Sequence, residues 1–375
     1  MQGRTLLVAS LPILAIACGE PPPPAPPPPP PPPSATVSEP VAAPTTPPPP
    51  PAPPEPTAEE KKKAEDAKQL AADREKWQEQ QKAEAARLTP EIRSAIKALA
   101  EKGYPNGKAA VQAMMASKHR RPANAARDAQ RHPLETLELF GFQPTMTVLD
   151  IGPGEGWYTE IVAPAVAKKG KYVATSADPN GPADARPTFY ANRWKGFLEG
   201  LPEAYGKAET LVVDGKAPKL GGKPTFDLVL LMRGVHGMKN AGTFDAWLAE
   251  IHAALKNGGV LGIEEHRSLD GANVDEVAKK GYMPEKWVVS TVEAAGFKLA
   301  GKSEVSANPK DTKDYVEGVW TLPPTLRLGD KDREKFLAIG ESDRMTLKFV
   351  KIAKKDDAKK PDPKAPAPKA PAPKK

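Results

Sequence analysis

Val148-Leu149-Asp150-Ile151-Gly152-Pro153-Gly154-Glu155-Gly156-Trp157-Tyr158-Thr159 is the stretch from which the fold is read. An apolar run ends on an acid, Asp150, and glycines follow at positions 152, 154 and 156. A helical segment carrying Ile161 and Val162 comes straight after. The pattern is a strand, a tight turn and a helix start. Glycine is needed in such a turn because the backbone takes positive φ and a ligand can approach with no Cβ in the way. A dinucleotide-binding turn would be spaced G-x-G-x-x-G. Here the spacing is G-x-G-x-G, with the acid two residues before the first glycine.

Working outward, residues 123–352 alternate strand and helix signals as a doubly wound parallel sheet does. Strands are expected at 146–151, 171–176, 209–213, 226–232, 259–264, 296–305 and 344–352, with helical spacing over 156–168 and 243–256. The second of these helices runs Phe244, Trp247, Leu248, Ile251, Leu255 and stops at Gly258-Gly259. No clear helix separates the last two strands, so a terminal hairpin is expected. Upstream, residues 58–122 read as a helical extension. Thr57 and Glu60 form a capping box, and Thr89-Pro90-Glu91 opens a second helix with the stripe Ile92, Ile96, Leu99.

In open α/β sheets a ligand binds beyond the carboxyl ends of the strands. The first strand brings Asp150 and the glycines there. The second, Lys171-Tyr172-Val173-Ala174-Thr175-Ser176-Ala177-Asp178, brings Ser176 and Asp178; the third ends at Asp214. The fourth runs into Arg233-Gly234-Val235-His236-Gly237, and the fifth, after Leu255-Lys256-Asn257-Gly258-Gly259, into Glu264-Glu265-His266-Arg267. Each of these two edges thus receives one histidine and one arginine.

The glycine motif and the Leu-Lys-Asn-Gly-Gly run resemble those of class I S-adenosylmethionine (SAM) dependent methyltransferases. With Arg127-Asp128, Arg131-His132-Pro133, Glu135 and Ser342-Asp343-Arg344-Met345-Thr346-Leu347-Lys348-Phe349, they are similar to a group of bacterial methyltransferases over roughly residues 120–352. The resemblance implies a seven-stranded, Rossmann-like sheet with a terminal antiparallel hairpin. It also implies SAM as cofactor, with Asp150, Gly152, Gly154 and Gly156 beside it. The family's ribose-holding acid would fall at Ser176 here, so either a loop shift lets Asp178 do this work or ribose recognition is weakened; Asp214 would lie near the adenine. Methyl transfer is an in-line displacement needing near-attack geometry and, for a protonated acceptor, a base. Histidine titrates near neutrality, so His236 is the first candidate base and His266 the second. Arg233 and Arg267 would orient an anionic acceptor through their forked donors. A purely structural role for either histidine stays open at this stage, while His119, His132 and His252 read as structural.

There is no zinc spacing, phosphate-binding loop or serine elbow, so no metal site is expected. The Asn-Pro-Pro-aromatic signature of amino- and adenine-N-methyltransferases is missing after the fourth strand, which argues against DNA-adenine methylation, though not against every nucleic-acid substrate. The net charge of +7 points no further that way, because the tail 353–375 carries eight lysines against three aspartates. That Lys/Pro/Ala-rich tail reads as disordered.

At the other end, residues 1–18 have one cation, Arg4, and an apolar run Leu6–Ala17 too short to span a bilayer. The single cysteine, Cys18, follows Leu14-Ala15-Ile16-Ala17, and the segment resembles a bacterial lipoprotein signal with Cys18 as lipidation site. One cysteine also excludes an intrachain disulfide. Residues 19–57 hold nearly half of the 46 prolines. At roughly 3.1 Å per residue they are expected to form an extended tether on the order of 100 Å long. The whole chain is thus expected to be an envelope-anchored methyltransferase acting on a small molecule or envelope component. The alternative is a surface lipoprotein that keeps the fold as a binding module without turnover.

Overall fold

The computed structural model describes residues 57–352; the segments expected as a lipoprotein signal (1–18), a tether (19–57, except Thr57) and a disordered basic tail (353–375) lie outside them. Three helices open the described chain. In Ala58–Arg87 the Thr57 hydroxyl accepts from the Glu60 amide at 3.2 Å while the Glu60 carboxylate accepts from the Thr57 amide at 2.7 Å. Pro90–Glu101 starts at a Thr89 cap and buries Ile96, and Gly107–Met115 follows. The long first helix is polar nearly all round, so it is held by a few points. Leu70 is buried, the Trp77 ring stands edge-on to Phe189 at 6.1 Å, and Asp73 pairs with Arg186 at 2.9 Å.

Seven strands form one sheet: β1 Thr147–Ile151, β2 Lys171–Ser176, β3 Glu209–Val212, β4 Phe226–Met232, β5 Leu255–His266, β6 Phe297–Ser303 and β7 Arg344–Lys351, in the order β3-β2-β1-β4-β5-β7-β6. β1 to β5 are parallel, and β7 runs antiparallel between β5 and β6. This is the doubly wound, Rossmann-like sheet expected from the sequence. Its central strands are apolar without a break because both faces are covered. Val148, Leu228 and Leu230 join one core with Ile96, Phe140 and Ile161, whereas Leu149, Val229 and Leu231 join the other with Leu248, Ile251 and Phe349.

Two local expectations need correcting. β5 begins at Leu255, where Leu255 pairs with Phe226, and a register shift then brings Val260 opposite Leu228. Gly258, at φ +75°, makes this bend, so the Gly-Gly pair lies inside the strand and does not precede it. β6 and β7 do pair antiparallel, but the connection is no simple hairpin. Residues 304–343 make a long excursion with a 3₁₀ turn, Gly318–Thr321, and a helix, Arg333–Ile339. No described helix is long and apolar enough to cross a membrane.

Candidate functional site

The strand order reverses between β1 and β4, and the crevice of an open sheet opens at such a point. A cavity of about 880 Å³ lies there, lined by Gly152, Ser176, Asp178, Asp214, Arg233 and Trp247 among others. Val212, Val213, Leu231 and Met238 give it apolar walls, and Asp178 and Asp214 put two exposed carboxylates on its rim. Both turn carboxylates are tied locally, Asp178 to the Asn180 amide and Asp214 to the Lys216 amide, which fixes where they stand.

The three motif glycines all have positive φ, at +64°, +60° and +82°, but they do different work. Gly152 donates its N–H to the Thr175 hydroxyl at 2.9 Å, and a Cβ on it would enter open space within the cavity. Gly154 lines a neighbouring cavity of about 300 Å³ behind the loop, not the larger one. Gly156 is buried against Phe197, whose ring a Cβ would meet at 2.5 Å.

Asp150 is not on the cavity wall. Its carboxylate is buried and accepts from the Tyr172 hydroxyl at 2.7 Å, which in turn shares a hydrogen bond with Thr159. Burial raises its pKa to about 6, against the Tyr172 hydrogen bond and the nearby Arg233 charge. It organises the base of the loop from beneath. The resemblance places this acid beside the cofactor; in the structure its carboxylate is turned to Tyr172, beneath the loop.

At the ends of β4 and β5 the two histidines meet, ring centroids 5.8 Å apart. His236 Nδ1 lies 3.0 Å from Glu265 Oε1, and the same carboxylate accepts from the amides of Val235, His236 and His266 at 2.6, 3.2 and 2.8 Å. An ionised carboxylate only accepts, so Nδ1 is the donor and the neutral ring keeps its lone pair on Nε2. Nε2 has no partner among the described residues. Burial alone would lower the His236 pKa; the Glu265 charge and hydrogen bond overcome it, and the net shift is upward. His266 behaves oppositely. Burial, then the charges of His236 and Arg233, hold it well below the usual histidine range. Its Nδ1 lies 2.5 Å from the Ser342 hydroxyl. One histidine can therefore take up a proton while its neighbour stays neutral.

The arginines also divide. Arg233 sits in left-handed backbone (φ +57°), lines the cavity and places Nη1 3.1 Å from Glu264. Arg267 is occupied: its guanidinium meets Asp343 at 2.9 Å, Glu285 at 3.0 Å and Glu304 at 2.6 Å. With its donors spent on three carboxylates it cannot also orient an acceptor, which corrects the role first assigned to it.

Glu265 escaped the sequence reading because Glu264 and Glu265 are adjacent and equally apt; only the strand's alternation decides which one reaches His236. Trp320 carried no sequence signal, yet its ring stands edge-on to His236 at 6.0 Å. The remaining histidines are structural. His119 is buried against the Glu160 carbonyl, His132 links two short helices in left-handed backbone, and His252 packs on Phe297. Among the described residues no cluster of three or more His, Cys, Asp or Glu side chains could hold a metal ion.

A family model described as a methyltransferase domain matches residues 118–296. Among solved structures, the chain is similar to a SAM-dependent methyltransferase from Aquifex aeolicus, at 19% identity over 60% of this chain and 93% of that one, TM-score 0.40. It is also similar to a putative methyltransferase from Bacillus halodurans, at 16% identity over 60% and 100%, TM-score 0.39. A third is a 1,6-didemethyltoxoflavin-N1-methyltransferase from Burkholderia thailandensis, solved with S-adenosylhomocysteine, at 18% identity over 64% and 79%, TM-score 0.34. Likenesses of this strength carry nothing about the acceptor. No curated protein matches the sequence. Residues 118–296, which the methyltransferase domain model matches, contain the switch-point cavity and its glycine loop.

Proposed function

We propose that the enzyme methylates a hydroxyl or amine of a small molecule or envelope component, with His236 as general base and Glu265 as its orienting carboxylate. The observation that carries this reading is the Glu265–His236 pair beside the cavity, with the Nε2 lone pair unpartnered. The residues present fit the cofactor. The open space over Gly152 admits a ligand, the apolar walls suit an adenine, and the Asp178 and Asp214 carboxylates suit ribose hydroxyls and a purine edge. When bound, SAM supplies an electrophilic methyl group. His236 Nε2 removes the acceptor proton as the nucleophile forms, and Glu265 stabilises the imidazolium that results. Arg233, held at the rim by Glu264, places a positive charge beside the reacting groups. His266, kept neutral, adds no competing charge.

The test is S-adenosylhomocysteine release across a panel of phenols, alcohols and amines. His236→Gln should lower turnover by about 10²–10⁴-fold with cofactor affinity unchanged. Equal turnover in the variant would remove His236 as the base.

The anchoring at Cys18 and the tether of residues 19–57 belong to the same proposal: the catalytic domain works in the cell envelope, joined through that segment to a lipid-anchored terminus. The Leu-Ala-Ile-Ala-Cys run supports it. Metabolic labelling with a fatty-acid analogue should mark the wild type and not Cys18→Ser; equal labelling defeats the anchor.

A further inference from the structure

The excursion 304–343 lies beyond the residues that the methyltransferase domain model matches, yet it brings Trp320 against the His236 ring. Its two ends are drawn together by a single residue. Arg267 at the end of β5 pairs with Glu304, where the excursion starts, and with Asp343, where it returns. Asp343 is further fixed: its amide donates to Asp311, and its carboxylate takes Lys313 and the Asn308 amide.

The middle of the excursion is pressed onto residues 280–282. Val319 N donates to Lys280 O at 2.9 Å. A Cβ on Gly281 would come within 2.4 Å of Val319 Cγ1, and one on Gly318 within 2.2 Å of Lys280 O; both glycines have positive φ. This approach is possible only without side chains, and it puts Trp320 where it stands. The indole meets the His236 ring in a T-shaped contact, the Arg327 guanidinium covers the indole at 4.8 Å, and Arg327 N donates to Trp320 O. Tyr282, whose hydroxyl donates to Asp311, packs on the His266 ring in the same layer.

We infer that Trp320, delivered by the Arg267-latched excursion, is the positioning residue of the acceptor site: its indole holds the His236 ring in the one rotamer that keeps Nδ1 on Glu265 and leaves Nε2 for the acceptor. This rests on the reading of His236 as the base, but the geometry can be tested without any acceptor. A histidine side chain has two soft torsions, and one hydrogen bond at Nδ1 leaves the ring free to swing about it. A second contact at an angle to the first removes that freedom. The groups facing the ring are Glu265 and His266 from β5, Arg233 from the end of β4, and Trp320 from the excursion.

The experiment is histidine-selective NMR on the full-length protein labelled at its five histidines, with His236→Gln to assign the signal. Wild type and Trp320→Phe, which keeps an aromatic edge, should each show one sharp His236 ring resonance and the same titration midpoint. Trp320→Ala should split or broaden that resonance and move the midpoint by roughly half a pH unit or more, with the His119 signal unchanged as a fold control. Trp320→Leu keeps bulk without an aromatic edge and decides the matter should the alanine variant not fold. A single, unshifted His236 resonance in a folded Trp320→Ala or Trp320→Leu variant overturns the inference. Because no cofactor or acceptor is present, that result is distinct from failure of the catalytic reading, which turnover of His236→Gln reports.

Discussion

A buried acid at the root of the glycine loop behaves differently from an acid on the cavity wall, and Asp150 is of the buried kind. Its folded pKa of about 6 lies above the unfolded value of 3.8, so the native state disfavours the charge. Stability is fullest below the unfolded value and falls as pH rises through about 6. Asp150→Asn should remove that fall and be more stable than wild type at pH 8 by up to about 3 kcal/mol, with little difference at pH 4. Urea midpoints at the two pH values test this; parallel curves would mean that the carboxylate is not buried against Tyr172. The sequence marked Asp150 as important, but not which way it points, because that depends on Tyr172 of the neighbouring strand. Arg267 teaches the same lesson. Its place after the fifth strand was legible, whereas its three carboxylates come from residues 285, 304 and 343.

The glycine loop is the element whose reading in sequence was most complete, since strand, turn and helix are all local. Even here the three glycines separate only once the packing is known. Gly156→Ala forces a methyl into the Phe197 ring in left-handed backbone and should cost about 2–4 kcal/mol, seen as a lowered melting temperature. Gly152→Ala meets no protein atom, so it should cost about 1 kcal/mol in backbone strain and mainly weaken S-adenosylhomocysteine binding in calorimetry. If the two variants lose stability and affinity in the same proportion, this division of labour is wrong. The excursion 304–343 was opaque for the opposite reason. Its proline, glycine and charged residues give little periodicity, and its order comes from contacts with β5, β7 and residues 280–282.

Over the whole molecule, Glu341 is the group that joins distant parts. Arg127 and Arg131, from the segment before the sheet, and Arg344, in β7, all converge on its carboxylate at 2.6, 3.3 and 2.7 Å. Burial works against the charge, but the three arginines prevail and bring its pKa down to about 2. The folded value is depressed, so this stabilisation is complete above the unfolded value of 4.5 and is lost as pH falls toward 2. Glu341→Gln leaves buried cations unpaired and should destabilise the protein by about 3–5 kcal/mol at pH 7, with a smaller difference from wild type near pH 3. A loss that stays constant down to pH 3 would show that the charge is not the source.

What the sequence determined by itself is the part written in short-range pattern: seven strands, the helix starts and caps, the glycine turn, and the strand ends near which His236 and His266 stand. Alternation, capping and glycine spacing act over a few residues, so one chain is enough to read them. Which carboxylate serves His236, where Asp150 turns, what occupies Arg267 and which aromatic ring meets His236 were decided by tertiary structure. Each of those depends on atoms brought together from separate strands and loops, and no local pattern records that meeting.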